Sequence, residues 1–192
     1  MIYLLRHGQT EFNRECRLQG RLDSPLTALG QDQARRMGRV LRQVIERPEA
    51  WTMVASPLGR TRHTAELVRE AAGLDCRIEI DDRLAELDVG QWEGLNRQEI
   101  LACAPHVDFA PGWMFDAPGG EGAHGMSARL AAWLAEHDES DGRRRIVVSH
   151  GVAGRMLRHL YCGVATDHSS PPQDSVFLLH QGVVGRIDEG LD

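Results

Sequence analysis

The chain has 192 residues, of which 42% are hydrophobic and 26% charged, a composition typical of a globular domain. A net charge of −6 disfavours a nucleic-acid surface, and the absence of lysine excludes Schiff-base, pyridoxal and P-loop lysine chemistry. No apolar stretch approaches the ~20 residues that cross a bilayer, and four scattered cysteines favour reduced thiols. We therefore expect a single domain over residues 1–192, soluble and cytoplasmic, with no membrane or nucleic-acid partner.

Short β-rich runs alternate along the chain with longer segments of helical periodicity. The predicted strands cover residues 1–5, 52–55, 77–80, 145–149 and 175–180. Most of these runs lack polar alternation, as expected for strands covered on both faces. Gln181 and Gly182 predict a hairpin turn into an edge strand over residues 183–188. The alternation of strands and helices predicts an α/β fold.

Four segments carry apolar residues at helical spacing. They lie within residues 34–45, 58–72, 126–134 and 152–160. The second helix is expected to begin with Ser56 as N-cap and Pro57 at its first position. The segment from Ala104 to Gly122 is rich in Pro and Gly, and long loops of this kind often form lids or binding loops. The arginine run 143–145 is expected to be a solvated approach to the fourth strand.

Three polar clusters directly follow predicted strands. They are RHG at residues 6–8, SPLGRTRHT at residues 56–64 and SHG at residues 149–151. In an open parallel sheet, the carboxyl ends of the strands share one edge, and ligands bind in the crevice there. We therefore expect four side chains to converge: Arg6, His7, Arg60 and His150.

Two arginines and two histidines near helix N-termini form an anion site, for which phosphate is the natural ligand. Phosphoryl transfer requires positive charge on the phosphoryl oxygens, an in-line nucleophile and a proton source for the leaving oxygen. One neutral imidazole can attack while the other, protonated, stabilises the anion. His7, placed rigidly after the first strand, is the predicted nucleophile.

The proton source is expected in LAELDVGQWEG, residues 84–94. Glu86 is the predicted general acid, and Asp88 is the alternative. Neighbouring acidic residues and partial burial favour a protonated carboxyl group at Glu86, whereas adjacent arginines oppose it.

Six motifs stand in a fixed order: LLRHGQTEFN, LQGRLDSPLTALG, SPLGRTRHTA, LAELDVGQWEG, APGGE and VVSHG. Together they strongly resemble the histidine phosphatase superfamily, the phosphoglycerate mutase-like proteins, over residues 2 to about 160. The resemblance implies a three-layer α/β/α sandwich with a mostly parallel central sheet, and no metal or organic cofactor. It also implies a covalent phosphohistidine on His7, a phosphate pocket completed by Arg6, Arg60 and His150, and Glu86 as proton donor.

The resemblance further suggests that Asn13, Gln19 and Gly20 contact phosphate or substrate at the mouth of the crevice. The alternative is turn chemistry, because Asn and Gly also stabilise turns that touch no ligand. Phosphate is also expected to meet the backbone amides around Gly8 and Gly151.

Two departures separate the chain from the cofactor-dependent mutases that it also resembles. Residues 98–128 contain neither Arg nor Lys, whereas the mutases carry a longer insertion with basic residues for a second anionic group. Val89 stands where their acid motif has a tyrosine, although Arg97 is a candidate for the position of their substrate-binding lysine. Both departures favour water as the phosphoryl acceptor. The predicted function is a metal-independent phosphomonoesterase for a small phosphorylated metabolite; the alternatives are a mutase and a non-catalytic phosphate-binding module.

Overall fold

The computed structural model describes residues 1–137, 142–163 and 172–187. Within these ranges, a six-stranded sheet with the order β3-β2-β4-β1-β5-β6 forms the centre. The strands are β1 (Ile2–Arg6), β2 (Trp51–Ala55), β3 (Ile78–Ile80), β4 (Arg144–Ser149), β5 (Val176–His180) and β6 (Val183–Arg186). The first four pair in parallel, whereas β5 is antiparallel to β1 and β6 is antiparallel to β5. The sheet is therefore mostly parallel, as predicted.

Helices cover both faces of this sheet. They are α1 (Glu11–Arg14), α2 (Ala28–Val44), α3 (Gly59–Ala72), α4 (Arg97–Cys103), α5 (Gly122–Glu136) and α6 (Gly151–Cys162). The hydrophobic core on one face includes α2 and α3, and the core on the other includes α4, α5 and α6. This arrangement confirms the three-layer α/β/α sandwich. Within the described ranges, no helix is long and apolar enough to cross a bilayer.

Strand β1 shows why its sequence is apolar throughout. Tyr3 and Leu5 pack into the core formed with α2 and α3, whereas Ile2 and Leu4 pack into the opposite core. Successive side chains of a strand point to opposite faces, so a strand covered on both sides needs apolar residues at every position. The polar residues that follow β1 are therefore placed at the edge of the sheet and not within it.

The predicted start of the second long helix is wrong. Neither Ser56 nor Pro57 begins α3, which starts at Gly59 after Leu58, an N-cap residue without a side-chain cap bond. The carboxylate of Asp23 instead accepts the backbone N–H of Gly59. Because this acceptor lies 36 positions earlier in the chain, the local Ser-Pro pattern could not reveal it.

Two further differences concern short segments. Helix α4 was not predicted; Asn96 caps it by accepting backbone N–H groups from Gln98 and Glu99. In the arginine run before the fourth strand, Arg145 belongs to β4 and is only 4% exposed, so the expectation of a solvated approach is wrong for this residue.

The C-terminal hairpin was predicted correctly. Gln181 and Gly182 have φ values of 51° and 72° between β5 and β6. Two successive positive φ angles are the requirement of the tight type I′ hairpin turn. Asp188, the last residue of the predicted edge strand, lies outside the described residues.

Candidate active site

The carboxyl ends of β1, β2 and β4 lie side by side because these strands pair in parallel. A cavity of about 160 Å³ opens at this edge. Its polar and glycine lining comprises Arg6, His7, Asn13, Arg17, Gln19, Gly20, Arg60, Glu86, Gly151 and Arg155. Its apolar lining comprises Leu18, Leu87, Val89, Met114 and Val152.

His7 follows β1 and is only 2% exposed. Its Nδ1 lies 2.8 Å from the carbonyl oxygen of Gly8. A carbonyl oxygen only accepts hydrogen bonds, so we assign the proton to Nδ1 and the lone pair to Nε2. Burial, and then the charges of Arg60 and Arg6, hold the pKa of His7 well below its ordinary value. The ring is therefore a neutral imidazole, the form that can act as a nucleophile.

Arg60, in the first turn of α3, is also only 2% exposed. Its Nη1 donates to the carbonyl of Leu22 at 2.7 Å, and its Nη2 donates to the carbonyl of Gly20 at 2.9 Å. The buried Nε has no hydrogen-bond partner in the described part of the chain. The loop around Gly20 therefore holds the guanidinium in place, while Nε is a donor available to an anionic ligand.

Arg6 lines the same cavity and packs closely against Gly151 at the start of α6. A β-carbon at position 151 would lie 3.3 Å from the guanidinium of Arg6, so a larger residue would displace this side chain. Burial lowers the pKa of Arg6, and the negative charge of Glu86 opposes that effect. Arg6 and Arg60, two of the four arginines that line the cavity, thus keep their charges beside His7.

His150 does not line this cavity; it borders a separate narrow space next to Phe177. Its ring centroid is 5.2 Å from that of His7, and its Nε2 lies 2.7 Å from Oγ of Ser56. Burial, and then the charge of Arg60, hold the pKa of His150 well below its ordinary value. The expected protonated histidine is therefore neutral in the structure, and a bound phosphate would shift its pKa upwards.

The carboxylate of Glu86 lies at the N-terminus of α6. Its Oε1 accepts from the backbone N–H of Ala153 at 2.9 Å, and its Oε2 accepts from that of Val152 at 3.2 Å. The carboxylate lines the cavity together with Arg6 and Arg60, and its negative charge interacts favourably with the positive charges of these two guanidinium groups. A carboxylate thus faces the cavity together with His7, the arrangement that the sequence predicted.

The acidic neighbours of Glu86 are not at the site. Asp81 forms a salt bridge of 2.7 Å with Arg83, and Asp88 accepts from the backbone N–H of Gly90 at 2.8 Å. Neither carboxylate lines the cavity. The groups that act on Glu86 are therefore mainly cationic, and Asp88, the alternative acid, is directed to a local turn.

Asn13 and Gln19 both line the cavity. Asn13 Oδ1 accepts from the backbone N–H of Thr10 and from Nε2 of Gln173, so its NH₂ group is the part that can donate to a ligand. Gln19 is buried, and its Oε1 has no hydrogen-bond partner among the described residues. Asn13 thus has the turn role that was the alternative interpretation, in addition to its position at the cavity.

Gly8 is not brought to the cavity. Its N–H donates to Oγ1 of Thr64 at 3.2 Å, and a β-carbon at this position would lie 2.1 Å from the carbonyl oxygen of Gly30. The absence of a side chain therefore allows the loop after β1 to pack against the start of α2. Gly8 supports His7 through its carbonyl group, whereas its amide is not directed to the ligand.

Three polar residues in or near the cavity were not predicted from the sequence. Arg155 lies four positions after Gly151, so helical spacing could have placed it on the same face of α6. Arg17 was also missed; its Nη1 donates to the carbonyl of Gly94 at 2.7 Å and to Glu99 at 2.9 Å. The third residue is Ser56, which is hydrogen-bonded to His150. Because the two residues are 94 positions apart, no local sequence pattern indicates this contact.

Arg97 does not occupy the cavity. Its guanidinium carbon lies 4.9 Å from the ring centroid of Phe109 and 5.9 Å from that of Trp113. Met114, the next residue in this segment, does reach the cavity wall, as does Val89. The long irregular segment therefore contributes an apolar contact to the site, while its aromatic side chains hold Arg97 elsewhere.

In the three described ranges, no group of three or more His, Cys, Asp or Glu side chains is arranged to hold a metal ion.

Known proteins resemble this chain in sequence and in structure. The family model of the histidine phosphatase superfamily (branch 1) matches residues 2–174. The probable phosphoglycerate mutase GpmB of Salmonella paratyphi C is 38% identical over 162 residues, which cover 79% of this chain and 70% of that protein.

Two solved structures of phosphatases share the fold. The α-ribazole phosphatase from Shigella flexneri superposes with a TM-score of 0.77 at 26% identity, covering 96% of this chain and 93% of that one. A mycobacterial glucosyl-3-phosphoglycerate phosphatase superposes with a TM-score of 0.76 at 30% identity, covering 92% of this chain and 90% of that one.

Proposed function

The chain belongs to the histidine phosphatase superfamily, and we propose that it is a metal-independent phosphomonoesterase that hydrolyses a small phosphorylated metabolite. One observation carries the proposal: a buried neutral His7, with its Nε2 lone pair, lies beside the buried Arg60 and the partly buried Arg6 in a cavity that also holds a carboxylate. Nucleophile, anion-binding charge and a candidate proton donor are the three groups that phosphoryl transfer requires.

In the first step, the phosphoryl oxygens bind Arg6, Arg60 and the amide of Gly151. Nε2 of His7 attacks phosphorus in line with the ester oxygen, forming the N–P bond as the O–P bond breaks. Because the arginines are already charged and fixed in a buried site, they stabilise the transition state without reorganising. His150 lies behind the cavity lining, with its ring centroid 5.2 Å from that of His7. The negative charge of the bound phosphate raises the pKa of His150, and the protonated ring then stabilises the phosphoryl group electrostatically.

Glu86 completes the cycle as general acid and base. In its protonated form it gives a proton to the departing ester oxygen, which leaves as an alcohol. As a carboxylate, it then takes a proton from a water molecule that attacks phosphorus. The N–P bond breaks, phosphate leaves and His7 returns to its neutral form. Asn13, Gln19 and Gly20 contact the substrate at the mouth of the cavity.

Three features support hydrolysis over mutase chemistry. Val89 gives the cavity an apolar contact where the mutases have a tyrosine. Arg97 is stacked on aromatic rings outside the cavity, and Arg17 is bonded to Glu99. The two solved structures described above are phosphatases by name.

A phosphoglycerate mutase-type phosphotransferase is the second candidate. The sequence identity with GpmB favours it, and Arg155 adds a positive charge to the cavity wall. A mutase returns the phosphoryl group to an organic acceptor and needs a bisphosphorylated compound to prime His7. Dependence on such a primer would favour this candidate over hydrolysis.

The test is the release of inorganic phosphate from a panel of small phosphomonoesters, in the presence of EDTA and without bisphosphoglycerate. We expect release by the wild type and by His63→Ala, a change at an exposed histidine of α3. We expect none by His7→Ala. Equal release by the two variants would contradict the proposal, as would inactivity of the wild type toward the whole panel.

A further inference from the structure

We propose that Arg129 of α5 is a positioning residue that, paired with Glu121, holds the chain around Glu86 so that its carboxyl group meets the leaving oxygen. The inference rests on the proposed function, in which Glu86 is the proton donor. Neither Arg129 nor Glu121 lines the cavity, so any effect of theirs on catalysis passes through the residues they hold.

All three nitrogen atoms of the Arg129 guanidinium group form hydrogen bonds to the chain around Glu86 or to Glu121. Its Nη1 donates to the carbonyls of Arg83 at 2.6 Å and Ala85 at 2.8 Å, and its Nη2 donates to that of Glu86 at 3.1 Å. Nε and Nη2 also donate to the two carboxylate oxygens of Glu121, at 2.8 and 2.6 Å. A guanidinium group has five N–H donors, and these five bonds use them all.

Glu121 extends the contact to the other side of the acid. Its Oε1 also accepts from the backbone N–H of Asp88 at 3.0 Å. Burial raises the pKa of Glu121, but the hydrogen bonds from Arg129 and the amide of Asp88, together with the charges of Arg129 and Arg21, outweigh burial and leave this pKa below its ordinary value. The charged pair is thus hydrogen-bonded to the backbone on both sides of Glu86. Arg129 binds the carbonyls of residues 83, 85 and 86, and Glu121 binds the amide of residue 88.

No helix or strand ladder holds this segment, although Ser149 Oγ donates to the carbonyl of Leu84 at 2.9 Å and the Glu86 carboxylate accepts from amides of α6. After the short 3₁₀ turn at Asp82–Leu84, the chain runs without helix or strand to the next such turn at Gly90–Trp92. Buried carbonyl groups require donors, and three carbonyls of this segment converge on one side chain. Lysine could not replace it, because a compact ammonium group lacks the planar fork that reaches all three carbonyls and a carboxylate.

The consequence for catalysis concerns proton transfer. A general acid must lie within hydrogen-bond reach of the atom that it protonates. A misplacement of about 1 Å can cost about 100-fold in rate. Misplacement of Glu86 should therefore lower kcat/KM for substrates whose leaving oxygen needs a proton. It should have little effect on kcat/KM for substrates whose leaving group departs readily as an anion.

The experiment compares Arg129→Lys with the wild type on two substrates, an alkyl phosphate and p-nitrophenyl phosphate. We expect kcat/KM for the alkyl phosphate to fall about 10-fold or more beyond any fall for p-nitrophenyl phosphate. Glu86→Gln should show the same selective loss, and Glu121→Gln a smaller one. Arg69→Lys is the matched control, because Arg69 also donates to a backbone carbonyl, that of Cys76, but on α3. It should leave both rates unchanged.

The outcomes separate the inference from the function beneath it. Equal losses of Arg129→Lys on both substrates, or no loss, would overturn the positioning role while the phosphatase activity stands. If Arg129→Lys does not fold, Glu121→Gln decides by the same ratio of rates. A wild type inactive on all phosphomonoesters would refute the proposed function, and the inference would fall with it.

Discussion

The floor and the wall of the cavity are held in place by different interactions. The floor consists of Arg6, His7 and Arg60, with His150 behind it, and these residues stand at strand ends or in the first turn of a helix. The wall is the segment 84–121, which carries Glu86, Val89 and Met114. The floor is fixed by the ladder of the parallel sheet, in which Arg6 pairs with Ser149. The wall contains no strand; it is held by turn and helix hydrogen bonds and by side-chain contacts such as those of Arg129 with the carbonyls of Ala85 and Glu86.

This difference assigns separate tasks to the two regions. Bond making at phosphorus tolerates little movement, and the ladder bonds give the floor rigid support. Selection of the organic group requires a surface whose shape can vary, and loops on a rigid scaffold provide it. Changes in the floor should therefore abolish turnover of every substrate, whereas changes in the wall should alter preference among substrates.

Replacing the nucleophile should have the largest effect. We expect His7→Ala to lower kcat by about 10⁴-fold or more for every substrate, because the covalent route is removed. Measurement of kcat over a panel with different leaving groups checks this. A loss confined to some substrates would place His7 in selection and not in bond formation.

Removal of a floor charge should come next. We expect Arg60→Gln to lower kcat/KM about 10²- to 10³-fold on all substrates, as for loss of one preorganised donor. The melting temperature should also fall, because the carbonyls of Gly20 and Leu22 lose their donors. Arg62→Gln is the control, since Arg62 is exposed two positions along the same helix. Similar rates for both variants would show that Arg60 does not bind the phosphoryl group.

The buried histidines should make the fold sensitive to acid. The pKa values of His7 and His150 are lowered in the folded state, so below about pH 6.5 the unfolded chain binds more protons than the native one. Their contribution to stability is therefore complete above pH 6.5 and is lost as pH falls towards the folded-state values. Urea unfolding at pH 7 and pH 5 measures it. We expect a smaller decrease for His7→Gln than for the wild type, and an equal decrease would contradict the lowered pKa of His7.

The wall should give the smallest and most selective effect. We expect Met114→Ala to lower kcat/KM about 3- to 10-fold for phosphomonoesters whose organic group contacts this side chain, since about 1 kcal/mol of apolar contact is lost. Inhibition by inorganic phosphate, which binds only the floor, should be unchanged. Leu101→Ala, at an exposed residue of α4, serves as the control. A change in phosphate inhibition would show that the wall also shapes the floor.

The sequence reveals the floor better than the wall for a physical reason. Apolar strands followed by RHG and SHG predict where Arg6, His7 and His150 lie, because parallel pairing brings strand ends together. Such information is local and repeats from strand to strand. The place of Arg155 in the cavity lining follows from the same kind of local pattern, because it lies four residues after Gly151 on α6.

Contacts between distant segments could not be predicted in this way. Asp23 caps α3 from another loop, and Ser56 is bonded to His150 across 94 positions. Arg129 binds the chain around Glu86 over more than 40 positions. Such interactions depend on side chains meeting after the sheet has formed, and no spacing in the sequence specifies them.

Trapping the phosphoenzyme tests the central claim most directly. The enzyme is mixed with a turned-over phosphomonoester, quenched in alkali within the first turnovers, digested and analysed by mass spectrometry. The account predicts an acid-labile phosphate on the peptide that contains His7, formed by the wild type and absent from His7→Ala. Phosphate on another residue, or turnover without any phosphoenzyme in rapidly quenched samples, would contradict it.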